Sequence, residues 1–280
     1  MGFLRVVEVF PPFFPLGSRV SEGINIREKT ELLLEAARSI RGLADVILVA
    51  DVKNPKLLKL STIETARILK EHLRVEAAPV IVLRGANRQK FLSEVLTGIT
   101  SGLGWMMIAW GDDYPGKGPA NVRDFSSLSS AIREASSLRA RTRTSTRFFA
   151  PVNVDRLASR KGMSLAKKRL RAGAEYLLAQ PPTSDAEETF ERHLSLLEGA
   201  GLKSRVLLNV FPFWDAKDVT ACEKYFGWKL PRTLHRTADR GNAPLLESER
   251  AVIRRIREEG LPGVYVNSRG VPGTAERLLS

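Results

Sequence analysis

Short, almost wholly apolar runs alternate with stretches of helical periodicity along the whole chain. Apolar runs of roughly four to eight residues, rich in β-branched side chains and bounded by turn residues, read as strands. They fall at Leu4 to Phe10, Asp45 to Asp51, Glu76 to Leu83, Trp105 to Trp110, Thr146 to Pro151, Tyr176 to Ala179, Arg205 to Phe211 and Gly263 to Val266. The clearest helices between them run over Arg27 to Arg41, Ser61 to Leu73, Asn87 to Ser101, Phe125 to Leu138, Ser164 to Ala172, Asp185 to Ala200 and Ala216 to Phe226. In the first of these, Leu32, Leu33, Ala36, Ala37 and Ile40 are expected to form the buried face. Eight strands, each followed by a helix, predict an α/β chain folded as a (β/α)8 TIM barrel. No polar gap or low-complexity linker divides the sequence, so a single domain over residues 1–280 is expected. A doubly wound open sheet would carry a Gly-rich phosphate loop after its first strand. Here that strand runs into Phe10-Pro11-Pro12-Phe13-Phe14-Pro15, which cannot form one.

Composition narrows the class without changing the fold. At 43% hydrophobic and 27% charged residues, the chain is neither disordered nor collagen-like. Lys and Arg number 44 against 31 Asp and Glu, a net charge of +13. Such an excess raises nucleic acid, membrane surfaces and small anions as partners. Its distribution changes that picture: the segment from Arg139 to Arg171 holds eleven basic residues opposed only by Asp155, a local balance of +10. Cys222 stands alone, so neither an internal disulfide nor a cysteine-paired zinc site is expected, and a cytoplasmic setting fits. The apolar run from Phe3 to Phe10 is too short for a signal peptide or membrane span and is interrupted by Glu8.

In a barrel of this kind, function sits at the carboxyl ends of the strands. The residues so placed are Glu8, Asp51, Arg84, Trp110 to Asp113, Asn153 with Arg156, Gln180, Phe211 to Trp214, and Asn267. Alternation sets Val6, Glu8 and Phe10 on one face; a carboxyl group in a barrel interior has its pKa raised by burial and suits proton donation. A structural pairing of Glu8 with an interior cation is the competing reading. Asp112 follows Gly111 in a glycine-containing loop, where it serves either a ligand or a turn. Gln180 and Asn153 offer both donor and acceptor to the edge of a heterocycle. Trp110, Phe213 and Trp214 offer faces for stacking, although rim aromatics also serve simple packing. His72, His193 and His235 show no metal-ligand spacing, and Cys222 has no neighbouring base in sequence.

At these same positions Val7-Glu8-Val9-Phe10-Pro11-Pro12, Glu76-Ala77-Ala78-Pro79, Gly111-Asp112, Ala172-Gly173-Ala174-Glu175-Tyr176 through Ala179-Gln180, and Phe211-Pro212 resemble the 5,10-methylenetetrahydrofolate reductase family in order and spacing. The likeness runs from Phe3 to about Gly227. It implies a TIM barrel oxidoreductase of one-carbon metabolism, usually a flavoprotein in which FAD passes hydride from NADH or NADPH to a folate methylene group. The resemblance assigns Glu8 to the acid that protonates the pterin-side nitrogen and opens the five-membered ring. It assigns Asp112 to the aspartate near flavin and pterin, and Gln180 to a folate contact. The family's usual flavin contacts are replaced by Ala50, Val80, Trp110, Ala150 and Val154, and its lysine before Ala-Gly-Ala by Arg169, which stays a candidate cofactor contact together with Trp110 and Asn153. The hydride source therefore stands open between weakly held FAD, a deazaflavin and a nicotinamide bound directly, with Trp110 as a stacking platform.

The leading expectation is a divergent reductase acting on a reduced folate or related pterin. The alternatives are a non-redox folate-binding or methyl-transfer partner, with a homo-oligomer or partner subunit in view, and a nucleic-acid-binding protein. The last lacks any recognisable motif and has no aromatics interleaved with its basic residues. Arg139, Arg141 and Arg143 precede the fifth strand and are expected at the barrel's amino-terminal end, as solvated surface or a subunit contact. Arg156, Arg160 and Lys161 follow that strand and are candidates for a cofactor diphosphate or the acidic tail of a folate.

Overall fold

The structure is a computed structural model, which describes residues 2–15, 26–52, 57–111, 124–268 and 273–280. The elements in chain order are β1 (Leu4–Val9), β2 (Phe13–Pro15), α1 (Ile26–Ile40), β3 (Val46–Val49), β4 (Leu57–Lys59), α2 (Thr62–Leu73), β5 (Ala77–Val82), α3 (Arg88–Thr100), β6 (Trp105–Ala109), α4 (Leu128–Thr142), β7 (Arg147–Asn153), α5 (Arg160–Arg171), β8 (Ala174–Gln180), α6 (Glu188–Ala200), β9 (Val206–Val210), α7 (Ala216–Phe226), α8 (Arg232–Ala238), α9 (Asn242–Glu258), β10 (Gly263–Asn267) and α10 (Thr274–Leu279). Eight of the strands close into a barrel in the order β1-β10-β9-β8-β7-β6-β5-β3, as the alternating pattern predicts. The two short strands β2 and β4 pair antiparallel outside it, with Phe14 opposite Leu58.

Contacts gather into two compact units, Met1–Val7 with Pro151–Lys167 and Tyr176–Ser280, and Glu8–Ala150 with Lys168–Glu175. Within the second unit the register decides which way Glu8 faces. Arg139 of α4 lies over the Phe148 ring at 5.5 Å, so Phe148 faces the helices and Phe149 faces the barrel interior. The pairs Met107↔Phe149, Val80↔Met107 and Leu48↔Ala78 carry that face across β6, β5 and β3. The Ala50 N–H bond to the Val9 carbonyl (2.9 Å) then sets Glu8 beside Leu48, on the inward face.

Within the first unit the same argument starts from Arg257 of α9, which lies over the Phe3 ring at 4.9 Å. Phe3 thus faces the helices and Leu4 the interior. The Leu4 N–H bond to the Pro262 carbonyl (2.9 Å) aligns Leu4 with Gly263. Tyr265 follows two residues on, and the pairs Tyr265↔Asn209 and Leu178↔Leu207 bring Asn209 and Gln180 to the interior face as neighbours.

Helix α1 corrects one expectation. Leu33, Leu34, Ala37 and Ile40 are buried, whereas Leu32 is 51% exposed. Leu33, Ala37 and Ile40 are buried as expected, and Leu34 takes the place of Leu32 because it lies three residues before Ala37, on the same face, whereas Leu32 lies five before it. Helix α5 begins at Arg160 rather than Ser164, so Arg160 and Lys161 occupy its first turn. Helices α8, α9 and α10 add to the seven clearest helices of the sequence, and α10 is the one that follows the last barrel strand.

Candidate functional site

In the second unit, Glu8 is 7% exposed near the carboxyl end of β1, between Val7 and Val9 in sequence. Asp51, just past β3, forms an ion pair with Lys59 of β4, whose ammonium also donates to the Val52 carbonyl at 3.2 Å. Burial pulls the Lys59 ammonium down to about 8, while the charge of Glu94 pulls it upward. Lys59 escaped the sequence reading because β4 is three residues long. Trp110 is half-buried after β6, its carbonyl accepting the Arg84 N–H at 2.9 Å. Asp112 lies outside the described residues.

Arg169 stands in the last turn of α5, at the opposite end of that helix from Arg160 and Lys161. Ala50, Val80 and Ala150 are buried in the second unit, and Val154 is buried in the first. Their side chains carry no hydrogen-bonding group, so these positions do not fit a flavin held by polar side chains.

The first unit carries polar residues at or near the carboxyl ends of β7, β8 and β9. Gln180 closes β8 half-buried, and its carbonyl accepts the Val154 N–H at 2.8 Å. Asn209 is wholly buried on β9, and among the described residues neither its Oδ1 nor its Nδ2 has a hydrogen-bond partner. Asn153 is exposed, and its Oδ1 accepts the Arg156 N–H at 3.1 Å, at the start of a short 3-10 helix over Asp155–Ala158. Arg156, Arg160 and Lys161 are exposed beyond it. Gly162 permits this tight turn: a Cβ there would stand 1.8 Å from the Arg156 carbonyl oxygen.

Phe213 is 2% exposed in an apolar cluster with Phe211, Val219, Cys222 and Leu234, and its N–H donates to Glu249 at 2.8 Å. Packing therefore takes up the ring offered for stacking. Trp214 is half-buried, with its N–H on Asp218 at 3.1 Å. The exposed aromatic surface of this unit is instead Tyr225 and Phe226, with Trp228 stacked on Phe226 at 4.2 Å.

Three residues after Gln180 in the chain begins a polar link that the sequence spacing concealed. Thr183 and His193 are both fully buried, with Thr183 Oγ1 2.9 Å from His193 Nδ1. The other ring nitrogen faces Asp155 at 3.6 Å, beyond hydrogen-bond length but within reach of its charge. A proton on Nε2 facing the carboxylate leaves Nδ1 to accept the Thr183 hydroxyl. With both partners buried, the arrangement is a latch between the turns after β7 and β8, not an accessible nucleophile. His193 first, then Arg192, hold the Asp155 carboxyl below its ordinary range, and burial opposes them.

Stabilisation from ionised Asp155 is complete above the unfolded value near 4 and is lost as pH falls through the lower folded value. Denaturant melts between about pH 3 and 7 should therefore show acid destabilisation that Asp155→Asn flattens. An Asp155→Asn profile as steep as the wild type would remove the pair. His193→Phe should cost about 1–3 kcal/mol at neutral pH by stranding the Thr183 hydroxyl.

No protein-family model matches the chain, and no curated protein matches it. Solved structures do. An uncharacterised protein from Clostridium thermocellum, described as binding two copies of 5-methyl-5,6,7,8-tetrahydrofolic acid, superposes with a TM-score of 0.67 at 14% identity, over 99% of this chain and 93% of that one. The C-terminal domain of a putative chitinase from Desulfitobacterium hafniense gives 0.55 at 15% identity, over 99% and 97%. Phosphoenolpyruvate phosphomutase from Streptomyces platensis gives 0.53 at 12%, over 96% and 78%. At these identities the likeness is one of fold.

No helix of the described residues is long and apolar enough to cross a membrane. No group of three or more His, Cys, Asp or Glu among them is placed to hold a metal ion.

Proposed function

We propose that this chain binds a reduced folate or a related pterin and reduces its methylene form to the methyl form, with Glu8 as proton donor. The observation that carries the reading is a carboxyl group set inside a barrel near a strand's carboxyl end, 7% exposed among valines. Gln180 supports it as an amide at the carboxyl end of β8. The solved neighbour described with bound 5-methyltetrahydrofolate supports the ligand class by analogy of fold.

In the reaction, Glu8 gives its proton to the tail-side nitrogen of the five-membered ring, because the pterin-side nitrogen suggested by the resemblance must keep the carbon if the 5-methyl form is the product. A reduced nicotinamide or a reduced deazaflavin, bound as co-substrate, would supply the hydride for the exposed iminium carbon. One C–N bond breaks, one C–H and one N–H bond form, and the donor is left oxidised by two electrons. Glu8 recovers its proton from water. Asp112, placed by resemblance beside the pterin, would stabilise the cationic iminium electrostatically. Arg156, Arg160 and Lys161 would hold the acidic tail of a folate.

The apolar side chains at Ala50, Val80 and Ala150 favour a second reading, a folate-binding or methyl-transfer partner without a redox step. Turnover separates the two. The purified chain, given 5,10-methylenetetrahydrofolate and either NADH or a reduced deazaflavin, should oxidise the donor and release 5-methyltetrahydrofolate. Binding without turnover with either donor would select the second reading, and absence of folate binding would reject both. Changing Arg156, Arg160 and Lys161 together to Ser should weaken binding of a polyglutamylated folate by roughly tenfold at low salt and less at high salt. Unaltered affinity would leave that cluster as surface.

A further inference from the structure

Asn209 is a polar residue in the middle of an apolar strand, Val206-Leu207-Leu208-Asn209-Val210, and is fully buried. Its backbone is satisfied: the carbonyl accepts the Thr183 N–H at 2.7 Å. Its side chain is not. Among the described residues the amide oxygen and the amide nitrogen both lack a partner. A buried carboxamide that meets neither a donor nor an acceptor costs the full desolvation of both groups, and buried polar groups left so in a native fold call for a specific explanation. The same volume filled by leucine would be cheaper for the fold.

Register supplies the explanation. Asn209 faces the barrel interior between Tyr265 of β10 and Gln180 of β8. Gln180 is the last residue of its strand, and Asn209 stands one residue from the end of its own. The amide is thus held beside Gln180, its partner across β8 and β9, with its donor and its acceptor both unspent among the described residues. Resting on the pterin reading above, we infer that Asn209 reads the pterin ring of the bound ligand. Its oxygen accepts from a ring N–H or amino group, and its nitrogen donates to a ring carbonyl or imine nitrogen. This pairing requires a cyclic amide or amidine edge, which the pterin ring presents and the benzoyl-glutamate tail does not. Gln180 and Asn209 would then be two adjacent contacts across β8 and β9, with Asn209 fixing the orientation of the ring.

The test compares wild type with Asn209→Leu by titrating two probes, 5-methyltetrahydrofolate and the tail-less 6-methyltetrahydropterin. The variant removes two stranded polar groups at similar volume, so its Tm should rise by roughly 2–4 °C. Its affinity for both probes should fall by about tenfold or more, because two hydrogen bonds to the ring are lost. Asn209→Ala, read alongside, carries the same comparison if the leucine variant does not fold. Wild-type binding with variant affinity within about twofold would overturn the inference alone and assign the amide to interior water. Weakened folate binding with unchanged binding of the tail-less pterin would also overturn it, by placing the contact on the tail. Wild type that binds neither probe would overturn the function reading and this inference with it.

Discussion

Glu8→Gln should lower the rate of methylene reduction by roughly two to four orders of magnitude, the usual worth of a positioned general acid. Glutamine keeps the length, the planar end group and most of the hydrogen-bonding capacity, so Glu8's neighbours Val6, Val7 and Val9 remain packed as before. What it cannot do is release a proton to the leaving ring nitrogen. The signature is a fall in kcat with little change in KM, because proton transfer belongs to the transition state and not to ground-state binding. Equilibrium titration with 5-methyltetrahydrofolate should confirm that the variant still takes the ligand. A kcat within about tenfold of wild type would sink the acid role and leave Glu8 as an interior structural carboxylate. A proportional loss of binding would show that Glu8 orients the ligand instead of protonating it.

The eight strands were legible because barrel strands are buried on both faces and so read as uninterrupted apolar runs, as Val46-Ile47-Leu48-Val49 does. Glu8 was legible for the converse reason: a charge inside such a run has few explanations. Asn209 stands in an equally apolar run, yet it was missed, because it lies two positions before Phe211, where the strand was expected to end. Only the register against Tyr265 shows that it faces inward. His193 was passed over because its partners, Thr183 and Asp155, come from two other turns, and no spacing along one element records a contact made by folding. Phe213 shows the opposite failure. A ring at a strand end looks available for stacking until α7 and α8 pack against it through Val219 and Leu234. The two-stranded β2 and β4 pair was invisible because three residues cannot establish a period. Tertiary contact, more than local propensity, separates what was read from what was not.

Gly263→Ala should be strongly damaging, because it adds a methyl group where two barrel strands meet backbone to backbone. Gly263 opens β10, where that strand meets β1, and a Cβ there would stand 2.0 Å from the Leu4 carbonyl oxygen and within 2.8 Å of two further Leu4 backbone atoms. A flexible side chain could move aside; the backbone of a barrel strand cannot do so without breaking its hydrogen bonds. The Leu4 N–H bond to the Pro262 carbonyl is the first to go, since the two strands must separate by more than an ångström to relieve the clash. Overpacking in a rigid setting costs about 1–3 kcal/mol, and losing buried backbone hydrogen bonds adds about 1–3 kcal/mol for each stranded group. A loss above about 4 kcal/mol is therefore expected, enough to leave a marginally stable domain largely unfolded. The matched control is Gly199→Ala on α6, where nothing lies within 4 Å of the added Cβ. There the methyl group only restricts the unfolded chain and favours helix, and stability should rise by about 0.5–1 kcal/mol. Urea denaturation of both variants gives the comparison. If Gly263→Ala melts within about 1 kcal/mol of wild type, the close approach of β10 to β1 is not as drawn, and the register that turns Tyr265 and Asn209 inward loses its anchor.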